Sequence, residues 1–390
     1  MKKSMKLLLA MASITILLVL AACGGGSEES SSTDDSSSDA SGDSGTVSAK
    51  IGVISYITGA GAAYGEAITN ALELAQEEIN EAGEVNIELV IEDSAGTPDQ
   101  ALSAAQKLIN SDTVTGIIGP TLSNEMEVVG PVADQNGVPI MGTSTTAEGI
   151  PQIGDYVFRD SIPETLAIPA SIEKAVEAYD AETVAIMYGN DDVFTKAGYD
   201  AMKAAAEDLG LEILTTQTFQ IGQSDYKAQL TEIKDLNPDL ILASALYNEG
   251  AVIMKQARDA GIDVPFVGGN GFNSPQVIEI AGDAGDGLIV ATPWFTGNEA
   301  EKAQSFVEKY TDKYGMEPDQ FAAQAYDGLY IMADALKRAG QDDRDALRDA
   351  LTETEGFEGV LGTISFDDEG DVVMDPIVLT IQDGKFQVFE

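Results

Sequence analysis

The chain has 390 residues, room for two to three domains of ordinary size, and its 44% apolar content is enough for a large core. Its 66 acidic and 21 basic residues give a net charge of −45, which excludes a duplex-binding surface of clustered Lys and Arg and so a nucleic-acid partner. There is no histidine and only one cysteine, which removes His-assisted nucleophiles, imidazole bases, His-containing zinc sites, intrachain disulfides and four-cysteine iron–sulfur clusters. Carboxylate chemistry, cofactor chemistry and binding without chemistry remain.

Residues 1–22 read as a secretory signal. Lys2, Lys3 and Lys6 form a positive start, and residues 7–22 an apolar stretch too short for a comfortable membrane span. Leu20-Ala21-Ala22-Cys23 looks like a bacterial lipobox, which would make Cys23 the lipidated first residue of the mature protein. Residues 24–49 hold ten Ser, five Gly and six acids with Val47 as the one large apolar residue, so they read as a disordered tether spanning roughly 28 Å. The expected location is the outer face of a bacterial cell membrane.

From Lys50 onward the pattern alternates strands and helices. Strands are expected at 51–56, 87–91, 115–118 and 138–141, and helices at 63–82, 97–110 and 122–136. Ile68, Leu72, Ala75 and Ile79 share one face of the first helix, and Gly83 closes it. Thr97-Pro98-Asp99-Gln100 predicts a capping box with proline at the first helical position, and Ser161-x-x-Glu164 predicts another helix start. A second series then begins: strands at 183–188, 213–218, 239–243, 265–267 and 288–292, and helices at 192–209, 248–260 and 274–282. Helices near 299–314, 319–339 and 343–352 precede a strand-rich tail at 360–366, 372–381 and 385–389. Such alternation predicts two α/β lobes, each a mostly parallel sheet covered by helices, with a ligand between them at the carboxyl ends of the strands. The lobes are expected over 50–165 with 295–372, and over 166–294 with 373–390.

Gly59-Ala60-Gly61-Ala62-Ala63-Tyr64-Gly65 joins a strand to a helix, but its G-x-G-x-x-x-G spacing is one residue too long for a dinucleotide fingerprint. Small residues there let backbone approach a ligand, with Tyr64 as a pocket wall or simply a surface residue. Gly119-Pro120-Thr121-Leu122-Ser123-Asn124 puts a hydroxyl at a helix start, a site for a carboxylate or merely a structural cap. Gly142-Thr143-Ser144-Thr145-Thr146 supplies a second hydroxyl-rich loop at the next strand end, and together the two loops point to a small polar-headed ligand. Asp367-Asp368-Glu369-Gly370-Asp371 lacks the EF-hand frame and reads as a turn, so no metal and no cofactor is expected.

These residues, in order, resemble the leucine/isoleucine/valine-binding protein family. The likeness runs from Ile51-Gly52-Val53-Ile54 through Tyr64-Gly65 and the helix around Asn80. It continues with Glu92-Asp93, Pro98, Ala101, Gly119, Ser123, Asn190-Asp191-Asp192, Lys255-Gln256-Ala257-Arg258, Ile280-Ala281-Gly282 and Tyr326-Asp327. The resemblance implies a type I periplasmic substrate-binding protein of an ABC importer: two lobes joined by three crossovers, closing on ligand by hinge motion. It implies that Ser123 binds a ligand carboxylate, and that Ser144 and Thr146 hold the α-carboxylate and α-ammonium. It further implies pocket aromatics at Tyr64, Phe194 and Phe321, with Tyr247 covering the ligand from the second lobe.

One position departs from that pattern. Where the family pairs the ligand ammonium with an acid, this chain has Asn270. Either Glu249 takes over, or the ligand is an amine-free carboxylate or a short amide. The sequence therefore predicts a monomeric lipoprotein, not an enzyme, that captures a branched-chain or related small amino acid for permease and ATPase subunits. A ligand sensor of the same fold and a carboxylate-using enzyme are the alternatives.

Overall fold

In the computed structural model, which describes residues 46–390, two sheets organise the chain. The first is five-stranded and wholly parallel, in the order β2-β1-β3-β4-β5. It is built from β1 (Val47–Ser55), α1 (Ala62–Ala82), β2 (Val85–Asp93), α2 (Pro98–Lys107), β3 (Gly116–Ile118), α3 (Ser123–Gln135), β4 (Ile140–Gly142) and β5 (Val157–Arg159). After α4 (Glu164–Tyr179) comes the second sheet, with β6 (Thr183–Gly189), α5 (Val193–Asp208), β7 (Glu212–Phe219), α6 (Lys227–Leu236), β8 (Leu240–Ser244), α7 (Tyr247–Asp259), β9 (Phe266–Gly268), α8 (Gln276–Ala281) and β10 (Leu288–Thr292). Three helices follow, α9 (Glu301–Tyr314), α10 (Gln320–Ala339) and α11 (Arg344–Thr352), and then the small pair β11 (Phe357–Glu358) and β12 (Thr363–Ile364). The chain ends in the hairpin β13 (Ile377–Gln382) and β14 (Lys385–Val388), which adds antiparallel to β10 and completes the order β14-β13-β10-β9-β8-β6-β7.

The local sequence explains these elements. All five residues of β8 and of β10 are buried, as a strand covered by helices on both faces requires. Each fully buried Leu or Ile among them stabilises the fold by about 1.5–3 kcal/mol. Helix α1 buries Ile68, Leu72, Ala75 and Ile79 against α10, and Gly83 ends it in the left-handed region with its N–H donating to the Ile79 carbonyl. Pro98 does occupy the first turn of α2 and Thr97 precedes it, but the Thr97 side chain makes no capping bond. Helix α4 opens at Glu164 behind Pro163, so Ser161 is not its cap, and the Ser161 hydroxyl is buried without a partner. Residues 47–49, read as the end of the tether, instead begin β1 and pair with residues 85–87. The signal, Cys23 and the rest of the tether up to residue 45 lie outside the described residues.

Helices α9–α11 return to the first sheet, where α10 packs on α1 and β2. The polypeptide therefore passes between the two sheets three times, near 160–163, 293–300 and 365–376. At the third passage Phe366 and Val372 bridge antiparallel, and the Asp367 carboxylate accepts the N–H groups of Glu369 and Asp371, so the acidic cluster forms a turn.

Candidate functional site

Side chains that follow the carboxyl ends of the strands converge on a narrow slot between the sheets. Thr121, Leu122 and Ser123 come from the β3–α3 junction, Ser144 from the loop after β4, and Tyr64 from the start of α1. The opposite wall is Phe194 at the start of α5, Leu246 after β8, and Asn270 with Gly271 after β9, while Phe321 at the start of α10 closes one end. Six of the nine residues expected at the site thus line one slot. None of its ten lining residues carries a charge.

Two glycines let backbone come this close. Gly119, between β3 and the Ser123 turn, has φ +96°, and a Cβ there would lie 2.1 Å from the Ile54 carbonyl oxygen. A Cβ on Gly65 would lie 2.1 Å from the Tyr56 oxygen, so only glycine lets α1 begin against the end of β1. The loops so placed are bonded to each other. The Ser144 hydroxyl donates to the Thr121 carbonyl at 2.6 Å, and the Ser123 hydroxyl accepts from the Ala147 N–H at 3.2 Å. Ser123 is the first residue of α3, a helix of 13 residues, so free N–H groups and the positive end of the helix face this region.

The two walls meet directly. The Tyr64 hydroxyl, 2% exposed as a residue, donates to the Gly271 carbonyl at 2.6 Å and accepts the Tyr247 N–H at 2.9 Å. Burial holds the Tyr64 phenol well above its ordinary pKa, so it keeps its proton at any physiological pH. Its ring packs at 4.7 Å from Phe321 and at 4.8 Å, edge-on, from Tyr247. Tyr247 is a latch instead of a liner: its hydroxyl donates to the Ala60 carbonyl at 2.6 Å, and Leu246 takes the place facing the slot.

Besides Tyr247, two of the expected residues sit behind the wall or away from it. The Thr146 hydroxyl donates to Glu164 Oε1 at 3.0 Å and does not line the slot. Glu249 turns from the slot to accept the Gly222 N–H at 2.8 Å, which removes it as the group that replaces the missing acid. Burial, and to a smaller extent Asp192 and Asp191, raise its pKa. Asn270 lines the slot but is itself held, its N–H donating to Glu164 Oε1 at 3.0 Å and its side-chain oxygen accepting from Gln320. Gln320 in turn accepts from the Thr292 hydroxyl at 2.7 Å, a fully buried polar chain behind the cleft.

Sequence reasoning missed Glu164, Gln320 and the pair Arg159–Asp371. Arg159, 2% exposed, bonds Asp371 through two nitrogens at 2.7 and 2.6 Å and donates to the carbonyls of Thr145 and Ala147 at 3.1 and 2.6 Å. It fastens the loop carrying Ser144 and Thr146 to the first and third passages between the sheets. The available signal was one arginine placed in an apolar run, Val157-Phe158-Arg159.

A slot between the strand ends of two α/β lobes, with hydroxyl loops at one end and aromatic rings around it, defines a type I periplasmic-binding fold built to enclose a small molecule. The chain belongs to the periplasmic binding protein family, whose model matches residues 48–385. It is 28% identical over 330 residues to the leucine-, isoleucine-, valine-, threonine- and alanine-binding protein of Pseudomonas aeruginosa, covering 83% of this chain and 87% of that one. A branched-chain amino acid transporter substrate-binding protein from Streptococcus pneumoniae, solved with isoleucine, is 32% identical with a TM-score of 0.82, covering 88% of this chain and 98% of the other. A solute-binding protein of an ABC transporter from Rhodopseudomonas palustris, solved with 3,4-dihydroxybenzoic acid, is 26% identical with a TM-score of 0.78, covering 87% and 95%. Solute binding is therefore the role of this chain, and membership of the family implies a location outside the cytoplasm.

Proposed function

We propose that this protein captures a small amino acid, branched-chain or related, between its lobes and hands it to the permease and ATPase of an ABC importer without making or breaking a bond. The observation that carries the reading is the polarity of the slot. The Ser123 hydroxyl, which keeps its proton, and the free N–H groups at the amino end of α3 suit a carboxylate, and the rings of Tyr64, Phe194 and Phe321 suit an aliphatic side chain. The bodies that close on the ligand are residues 50–165 with 295–372 and residues 166–294 with 373–390. The isoleucine-bound relative supports the substrate class. Calorimetry of the full chain with leucine, isoleucine, valine and alanine, together with mass spectrometry of the small molecule that co-purifies, tests it. One-to-one binding without turnover is expected, and failure of all four amino acids to bind would overturn it.

An amine-free carboxylate or short amide is the second reading. It is favoured by the uncharged slot lining, by Asn270, and by the relative that holds an aromatic acid. We further propose that Cys23 carries a lipid that keeps the monomer at the outer face of the membrane. Cys23→Ala is then expected to move the protein into the soluble fraction, and retention on membranes after a high-salt wash would refute the anchor.

A further inference from the structure

A ligand ammonium needs a negative charge, and the slot lining has none. Two buried carboxylates accept an N–H of that lining: Glu125, bonded to Leu122 within its own lobe, and Glu164, the first residue of α4, placed where the chain has just crossed between the sheets and bonded to Asn270 of the opposite wall. Glu164 is fully buried, and its Oε1 receives both the Thr146 hydroxyl, from the first lobe, and the Asn270 N–H, from the second. Its Oε2 is buried with no partner and lies 2.8 Å from where a Cβ on Gly269 would stand, so any side chain at 269 would displace it.

The direction of the Thr146 bond matters. A threonine hydroxyl has one proton, and here that proton is spent on the carboxylate. The oxygen then keeps only lone pairs, so the Thr146–Glu164 pair forms a negative end behind the wall of the slot, which suits an ammonium in front of it and not a second carboxylate.

We propose that Glu164 is the acid of this binding site: from behind the wall, bonded to Thr146 and to the Asn270 N–H, it supplies the negative charge that Asn270 lacks, so that the site selects a ligand bearing an ammonium. It is a positioning residue, acting through Thr146 and the Asn270 turn. The proposal rests on the amino-acid reading above. Complete burial raises the Glu164 carboxyl to about 7, opposed in part by the Asn270 N–H, the Thr146 hydroxyl and Arg159. Arg159 is the charged group that acts on it, and Thr146, Gly269 and Asn270 present no other titrating side chain. An arriving ammonium favours the ionised form, so leucine binding at pH 7 releases a proton, whereas an anionic ligand takes one up.

The test uses the full chain, titrated calorimetrically with leucine and with its 2-oxo acid analogue in two buffers of different ionisation enthalpy. Glu164→Gln is expected to weaken leucine tenfold or more, to leave the oxo acid equal or tighter, and to abolish proton release. Adding Asn270→Asp to Glu164→Gln restores leucine to within a few-fold, while Asn270→Asp alone gains less, because two neighbouring carboxylates cannot both ionise. Thr146→Val gives the same selective loss should Glu164→Gln fail to fold. Equal loss of both ligands without rescue would assign Glu164 a structural role and overturn the proposal, as would leucine binding that Glu164→Gln leaves unchanged. A wild-type protein that binds the oxo acid but not leucine would instead sink the amino-acid reading, and this proposal with it.

Discussion

Removing the Tyr64 hydroxyl tests whether the closed cleft is held by the contacts described. In Tyr64→Phe the ring still packs at 4.7 Å from Phe321 and 4.8 Å from Tyr247, so the aromatic cluster survives. Two backbone groups lose their partner: the Gly271 carbonyl, 2.6 Å from the hydroxyl, and the Tyr247 N–H, 2.9 Å from it. With the lobes apart, water satisfies both groups. The loss therefore falls on the closed form alone. At about 1 kcal/mol for each hydrogen bond the closed state loses about 2 kcal/mol, equivalent to roughly 30-fold weaker ligand binding. Tyr247→Phe provides the contrast, since its hydroxyl reaches the exposed Ala60 carbonyl, where water substitutes. About 0.5 kcal/mol, or roughly twofold, is expected there. Calorimetric affinities of both variants, with small-angle scattering on the ligand-free proteins to measure opening, check the difference. Equal effects from the two variants, or an unchanged affinity in Tyr64→Phe, would refute the reasoning.

Other outcomes follow from the same structure. Ser123→Ala should weaken leucine and its oxo acid alike, by about 1–3 kcal/mol, because the hydroxyl belongs to the carboxylate end; a loss confined to one of the two ligands would move that end elsewhere. Gly119→Ala should lower the melting temperature by several degrees or prevent folding, given φ +96° and the 2.1 Å approach to the Ile54 oxygen, and a wild-type melting curve would contradict the geometry. Stability should fall as pH rises through neutrality. Burial raises Glu125, Glu164, Asp319 and Asp327 each to about 7. Folded-state pKa values above the unfolded carboxylate range mean the folded form binds protons more tightly, so this contribution is complete below about pH 4 and is lost through pH 7. A thermal melt of the ligand-free protein at pH 5.5 and pH 8 should show the lower midpoint at pH 8, and the opposite order would refute the assignment.

Long elements with strong periodicity were legible from sequence, β10 down to its end residues and α1 to within one. Helix α6 was not, because only Leu230 and Ile233 of its ten residues are buried and so narrow a stripe resembles a polar loop. Strand β5 was missed for a different reason. Three residues ending in arginine carry no alternation to read. The hydroxyl loops could be found because hydroxyls crowd the ends of otherwise apolar strands. At the start of α7, by contrast, the helical turn of about 100° per residue decides what faces the slot. Leu246 faces it, Tyr247 reaches Tyr64, and Glu249 reaches Gly222, which sequence order alone does not distinguish. Glu164 was read as a helix-start acid, and nothing in the sequence brings it beside a residue 106 positions away.

The Arg159 guanidinium joins parts of the chain 212 positions apart and grips the ligand loop with its remaining donors. In mechanical terms it makes two of the three connecting segments a single stiff axle, with the loop welded to it. A lysine, one point charge on a flexible stem, would not hold all three together. With Asp371, Thr145 and Ala147 all held by one side chain, the hydroxyl end of the slot is part of the connecting framework itself, and a ligand meets it already set.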